Sequence, residues 1–177
     1  MGLWQLRVWT CHLVPAEQVW AYKHSPGSAA DEVGPWLRFS VADAAAFERV
    51  VREGGAFSAT FGLFGAGVPW TGAIAEVSPG VSFRDVADPN RLFAQWEHRH
   101  LVEPNANGAR YVDEVRFAPA PRWERVESVF VRAVRQAFVR RHRRAARRLA
   151  ADPRVTGVAV LRRYVADVAE EEPDLSD

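Results

Sequence analysis

Phe83-Arg84-Asp85, then Phe93-Ala94-Gln95-Trp96-Glu97-His98-Arg99-His100, then Tyr111-Val112-Asp113-Glu114-Val115-Arg116-Phe117 follow one another through the middle of the chain. In extended backbone, side chains two apart share a face. Trp96, His98 and His100 then lie on one face of a strand. Tyr111, Asp113, Val115 and Phe117 share a face on the next, and Phe83 and Asp85 share one on an earlier strand. Pro89-Asn90 and Asn105-Ala106-Asn107-Gly108 separate these stretches with turn chemistry, so strands are expected over 81–88, 92–102 and 109–118. Two more fit 56–64 and 70–77, with breaks at Gly65-Ala66-Gly67 and Ser78-Pro79-Gly80. Links this short join antiparallel neighbours.

On the C-terminal side the pattern changes to a helix over about 126–151, with Val131, Val134, Phe138, Ala145 and Leu149 as its apolar stripe. On the N-terminal side, mixed alternation over 3–14 suits a strand. Pro15 opens a short helix through Tyr22, which Ser25-Pro26-Gly27-Ser28 ends; Asp43 caps a second over 43–52, which Gly54-Gly55 stop. The expected class is α+β: a curved antiparallel sheet wrapped around the long C-terminal helix, enclosing a cavity. Residues 1–152 make the domain and 153–177 an extension. Within the extension Val158, Leu161, Val165 and Val168 fit strand or helix equally, and Glu170-Glu171-Glu172-Pro173-Asp174 reads as a frayed acidic end.

With 177 residues, 48% apolar and 25% charged, the chain suits one globular domain with a substantial core. A net charge of +1 excludes a uniformly basic nucleic-acid binder. One cysteine, Cys11, excludes an internal disulfide and a cysteine-based zinc site. No stretch approaches a transmembrane span and the N-terminus lacks the order of a signal peptide, so a cytoplasmic location is expected. Gly62-Leu63-Phe64-Gly65-Ala66-Gly67 is followed by no Lys-Ser/Thr and reads as a glycine-rich hairpin, not a phosphate loop. The run Arg140-Arg141-His142-Arg143-Arg144-Ala145-Ala146-Arg147-Arg148 could meet an anionic surface or nucleic acid. Without interleaved aromatics it reads first as a solvated helix face, and nucleic acid is disfavoured as a partner.

The F-x-D, W-x-H-x-H and D-x-V-x-F elements at Phe83, Trp96 and Asp113, with Phe130-Val131 opening an arginine-rich helix, resemble the START-like (SRPBCC) superfamily. The nearest branch is that of bacterial polyketide-cyclase/dehydrase-like proteins. The likeness spans roughly residues 3–149 and is strongest over 81–117. It implies a helix-grip fold around a pocket for an apolar ligand, used by carriers and by enzymes that cyclise, dehydrate or hydrolyse. Two departures stand at the cavity rim: Asn90-Arg91-Leu92 replaces a Gly-Pro, and Pro119-Ala120-Pro121-Arg122-Trp123 replaces a Pro-aromatic-Gly turn.

The residues expected to line the pocket are Phe61, Trp70, Phe83, Asp85, Trp96, His98, His100, Tyr111, Asp113 and Phe138. The ligand would be a small hydrophobic molecule, lipid-, polyketide- or isoprenoid-like, bound in a carrier or sensor role. Two histidines and two carboxylates in an aromatic enclosure allow four readings. They are a satisfied structural network, an anchor for a ligand's polar end, an Asp113–His98 acid–base pair in a cyclase- or dehydratase-like enzyme, or a metal site. The last needs a third ligand at matching geometry beside His98 and His100; no metal or other cofactor is expected.

Overall fold

A computed structural model describes residues 2–33, 37–63, 66–149 and 160–164. Trp36, Phe64, Gly65 and the acidic C-terminal run lie outside the described residues. The strands are β1 (Leu3–His12), β2 (Leu37–Val41), β3 (Gly55–Leu63), β4 (Ala66–Ser78), β5 (Ser82–Ala87), β6 (Phe93–Asn105), β7 (Gly108–Pro119) and β8 (Val160–Tyr164). The helices are α1 (Ala16–His24), α2 (Pro26–Val33), α3 (Ala44–Glu53) and α4 (Glu127–Arg148), the last entered through a 3-10 turn over Pro121–Val126.

All eight strands form one antiparallel sheet in the order β2-β3-β4-β5-β6-β7-β1-β8. The meander from β3 to β7 is therefore continuous, and β1 closes against β7. Register shifts in β4 between Ala75 and Ser78 and in β6 between Phe93 and Gln95 are bulges that bend the sheet. Close approach has a sequence requirement at Gly72, where a Cβ would stand 2.1 Å from the Val86 carbonyl oxygen of β5. The Asn105–Gly108 turn needs glycine for a second reason: Gly108 has φ +144°, and its Cβ would strike the His12 carbonyl.

The inner face carries Leu6 and Val8 of β1, Trp70 of β4, Phe93 of β6 and Val115 and Phe117 of β7. Against them α4 packs Val131 and Phe138, with Ala145 and Ala146 fully buried further along. At the start of the helix Glu127 Oε1 accepts from the Gly2 N–H (3.0 Å) and Trp4 Nε1–H (2.7 Å), tying α4 to β1. Asp43 caps α3 as expected, accepting from the Ala46 N–H at 2.9 Å, and Gly54 at φ +84° ends that helix.

Two elements were not anticipated, and the sequence leaves a third open between strand and helix. The Ser25-Pro26-Gly27-Ser28 stretch ends α1 but also begins α2, because proline at a helix start costs no backbone donor and presets φ. β2 follows as an added edge of the sheet. Residues 160–164, ambiguous between strand and helix, pair with β1 from Leu3↔Tyr164 to Arg7↔Val160.

Candidate functional site

A cavity of about 320 Å³ lies between the sheet and α4. Its walls are aromatic: Phe39, Phe57, Phe61, Trp70, Phe93 and Trp96 from the sheet, Phe47 from α3, and Phe130 and Phe138 from α4. Rings meet edge to face, with centroids 4.8 Å apart for Phe61–Trp70 and 5.2 Å for Trp70–Trp96, which holds the walls in place without a polar atom. Of the expected residues, Phe61, Trp70, Phe83, Asp85, Trp96, His98, His100 and Phe138 line this space. Tyr111 and Asp113 do not. They sit fully buried beneath the histidines, since β7 runs between β6 and β1 and α4 covers it there.

The register pairs Asp85 with His98 across β5 and β6, and His100 with Asp113 across β6 and β7. Both His98 nitrogens are engaged: Nε2 donates to Asp113 Oδ1 at 2.9 Å and Nδ1 meets Asp85 Oδ2 at 3.1 Å. His100 Nε2 lies 3.1 Å from the same Asp85 oxygen, and its Nδ1 lies 2.6 Å from the Tyr111 hydroxyl. Trp96 Nε1–H donates to Asp85 Oδ1 at 2.9 Å. Tyr111 O–H donates to Asp113 Oδ1 at 2.5 Å, and His142 Nε2–H of α4 donates to Asp113 Oδ2 at 3.0 Å. Thr10 of β1 completes the chain, 2.8 Å from His142 Nδ1.

Burial works against charge on every one of these groups, and their partners decide the outcome. For His98, burial opposes the proton, but the Asp113 and Asp85 carboxylates outweigh it and raise the pKa above the ordinary 6.5. For His100, burial and the neighbouring His98 charge act together and lower it to about 3. Burial likewise lowers His142, so its ring is neutral: it accepts from Thr10 and donates to Asp113. Burial would raise Asp113, yet Arg141 and His98 hold it well below the usual carboxylate range. Asp85 is held low against burial in the same way, by the His98 charge and its histidine hydrogen bonds. The two carboxylates thus favour the proton on His98, while burial and His98 disfavour it on His100.

A second buried ion group adjoins it, unread in the sequence. Lys23 Nζ donates to Glu32 Oε1 at 2.6 Å, and Arg141 Nε donates to Glu32 Oε2 at 2.6 Å. Lys23 also stands 3.8 Å over the Tyr111 ring. Arg141 and His142 therefore face inward, correcting the reading of residues 140–148 as one solvated face. Arg148 pairs with Asp31 at 3.3 Å, while Arg140, Arg143 and Arg147 are exposed. The helical period held the signal: His142 lies four residues after buried Phe138 and three before buried Ala145. Lys23, His24 and Arg141 also line the cavity, and His24 Nε2 is buried without a partner among the described residues.

A curved antiparallel sheet gripping a C-terminal helix over an apolar cavity is the helix-grip fold of START-like proteins. More narrowly, the chain belongs to the family described as "Domain of unknown function (DUF8410)", whose profile matches residues 12–149. No curated protein matches. Among solved structures, a protein from Chromobacterium violaceum is 18% identical, with a TM-score of 0.63 over 84% of this chain and 99% of that one. The Zhui aromatase/cyclase from Streptomyces sp. R1128 superposes with a TM-score of 0.63 at 8% identity, over 84% and 94%. The di-domain aromatase/cyclase StfQ of the steffimycin biosynthetic pathway gives 0.65 at 9% identity, over 84% of this chain and 52% of that one. At such identities the likeness is one of fold. No described helix is long and apolar enough to cross a membrane.

Proposed function

We propose that the chain binds a small, mostly apolar molecule in the cavity between the sheet and α4, in a carrier or sensor role. The observation that carries this reading is the composition of the cavity wall: aromatic rings on most sides, and a polar end made by Asp85, His98, His100, Lys23 and Arg141. Apolar surface transferred there from water gains roughly 25 cal/mol per Å². The polar end would orient the ligand through an oxygen-bearing group, and the vacant acceptor on His24 would take a ligand hydroxyl. A volume of about 320 Å³ favours a compact ring system or short chain, since ligand sites run from roughly 300 to 1,000 Å³. Aromatase/cyclases among proteins of like fold support a polyketide-like compound.

The test is native mass spectrometry of the freshly purified protein, followed by denaturing extraction. A mass excess carried by the folded ion and lost on denaturation is expected. A bare folded mass, together with unchanged tryptophan fluorescence on titration with 1-anilinonaphthalene-8-sulfonate, sinks the reading.

A second proposal keeps His98 and Asp113 as a catalytic pair in a cyclase- or dehydratase-like enzyme. The observation favouring it is the place of His98 at the cavity wall between two carboxylates that raise its pKa, a proton source for a substrate oxygen. In that role His98 is the acid, and Asp113 orients it from beneath.

A further inference from the structure

We propose that Asp85, His98 and His100 form a binding site for a divalent transition-metal ion, open to the cavity. Three donor atoms converge: Asp85 Oδ2, His98 Nδ1 and His100 Nε2 all lie within 4.8 Å of one another. The carboxylate oxygen stands 3.1 Å from each nitrogen. A tetrahedral ion with bonds of about 2.0–2.1 Å places its ligand atoms ~3.3 Å apart. The two oxygen–nitrogen spacings are close to that value, and the two nitrogens lie within 4.8 Å of each other.

Metal ligands are held through the polar atom that does not touch the metal. Here each of the three has that atom engaged. Trp96 Nε1–H donates to Asp85 Oδ1 at 2.9 Å, which leaves Oδ2 as the free oxygen. His98 Nε2 donates to Asp113 Oδ1 at 2.9 Å, so Nδ1 is the nitrogen that an ion would take in exchange for a proton. His100 Nδ1 lies 2.6 Å from the Tyr111 hydroxyl, so Nε2 is the nitrogen left to coordinate.

Asp85, His98 and His100 line the cavity whereas Asp113 and Tyr111 do not. The remaining coordination positions face the ligand space, as in sites that keep one open. Two imidazoles and one carboxylate select a borderline ion such as Zn²⁺ or Fe²⁺ over Ca²⁺ or Mg²⁺. Such an ion would anchor a ligand through a hydroxyl, carbonyl or carboxylate oxygen. The site does not depend on which apolar molecule fills the cavity, and ion binding and ligand extraction can fail separately.

The test uses the full chain, stripped with a chelator and titrated with ZnCl₂ by calorimetry and with CoCl₂ by visible absorption. One equivalent of Zn²⁺ with a raised melting temperature, and a Co²⁺ spectrum of low coordination number, is the expected result. Asp85→Asn and His100→Gln should each weaken Zn²⁺ binding at least 100-fold. Tyr111→Phe, which keeps all three ligands, should weaken it about 10- to 100-fold. The proposal is overturned if the wild-type protein takes up less than half an equivalent, or shows only the octahedral Co²⁺ spectrum. It is equally overturned if folded Asp85→Asn binds as the wild type does, which would place the ion at other histidines.

Discussion

Asp113 of β7 and His142 of α4 meet through a buried 3.0 Å hydrogen bond that fastens the gripping helix to the middle of the sheet. Asp113 also accepts from His98 and Tyr111 and faces Arg141 at 3.7 Å, so one carboxylate serves strand, helix and cavity wall together. Asp113→Asn removes its charge and forces an amide hydrogen against one of these donors. The expected cost is about 3–5 kcal/mol, the range for breaking a buried ionic pair from one side. Urea unfolding followed by tryptophan fluorescence measures it. A loss under 1 kcal/mol would mean that Asp113 is not the junction described.

Acid should destabilise the protein in steps, one of them belonging to His12. This ring is 1% exposed, and neither of its nitrogens finds a partner among the described residues. Burial, with the charge of Lys23 and the nearby His142 outweighing Glu32, lowers it from 6.5 to about 4. Between those values the unfolded chain takes up a proton that the folded chain refuses. Stability is therefore full above about pH 6.5 and falls as pH drops toward 4, by up to ~1.4 kcal/mol per unit. His12→Leu, which fills the same space without polar atoms, should flatten this part of the urea-midpoint profile. A profile unchanged by the substitution would assign the acid loss elsewhere.

Alternation made the site's strands legible, because Trp96, His98 and His100 on β6 and Phe83 and Asp85 on β5 repeat with a period of two beside aromatic neighbours. The same alternation could not say how deep Tyr111 and Asp113 lie. Depth is set by the neighbours of β7 in the sheet and by what α4 places above it, which are long-range facts. Pairing of Asp113 with His100 rather than His98 depends on the hairpin register across Asn105–Gly108, and a slip of two residues preserves the faces. Arg141 and His142 were hidden by company: seven basic side chains in nine positions read as a wet face until the helical phase is counted from Phe138. Glu32 had no local signal at all, since its two partners, Lys23 and Arg141, are 9 and 109 residues away.

Glu32 is the only acid bonded by both Lys23 and Arg141 among the described residues, and it is 1% exposed. Those two cations hold its pKa below the ordinary carboxylate value against the opposing effect of burial. Glu32→Gln would leave the two cations facing each other over a neutral amide. A destabilisation of about 3–5 kcal/mol is expected at neutral pH, together with loosening of α2 from α4 visible as faster amide exchange in residues 26–33. If exchange there stays as slow as in the wild type, the ion group is not what docks α2.

Ala137 offers a way to empty the cavity of ligand without touching the polar cluster. It lies on α4 one residue before Phe138, is half-buried, and lines the cavity. Ala137→Phe adds an aromatic ring to a space of about 320 Å³ already bounded by Phe130 and Phe138, so ring and ligand compete for one volume. Helix propensity falls only by about 0.5 kcal/mol, and filling apolar space tends to offset that. The melting temperature should stay within a few degrees while affinity for the molecule extracted from the wild type drops at least tenfold. Val129→Phe is the control: it introduces the same ring on the same helix, at a residue 64% exposed. If both variants bind as the wild type does, the ligand does not enter between the sheet and α4. If both lose binding, the helix rather than the cavity has been disturbed. Loss in Ala137→Phe alone places the ligand against the inner face of α4.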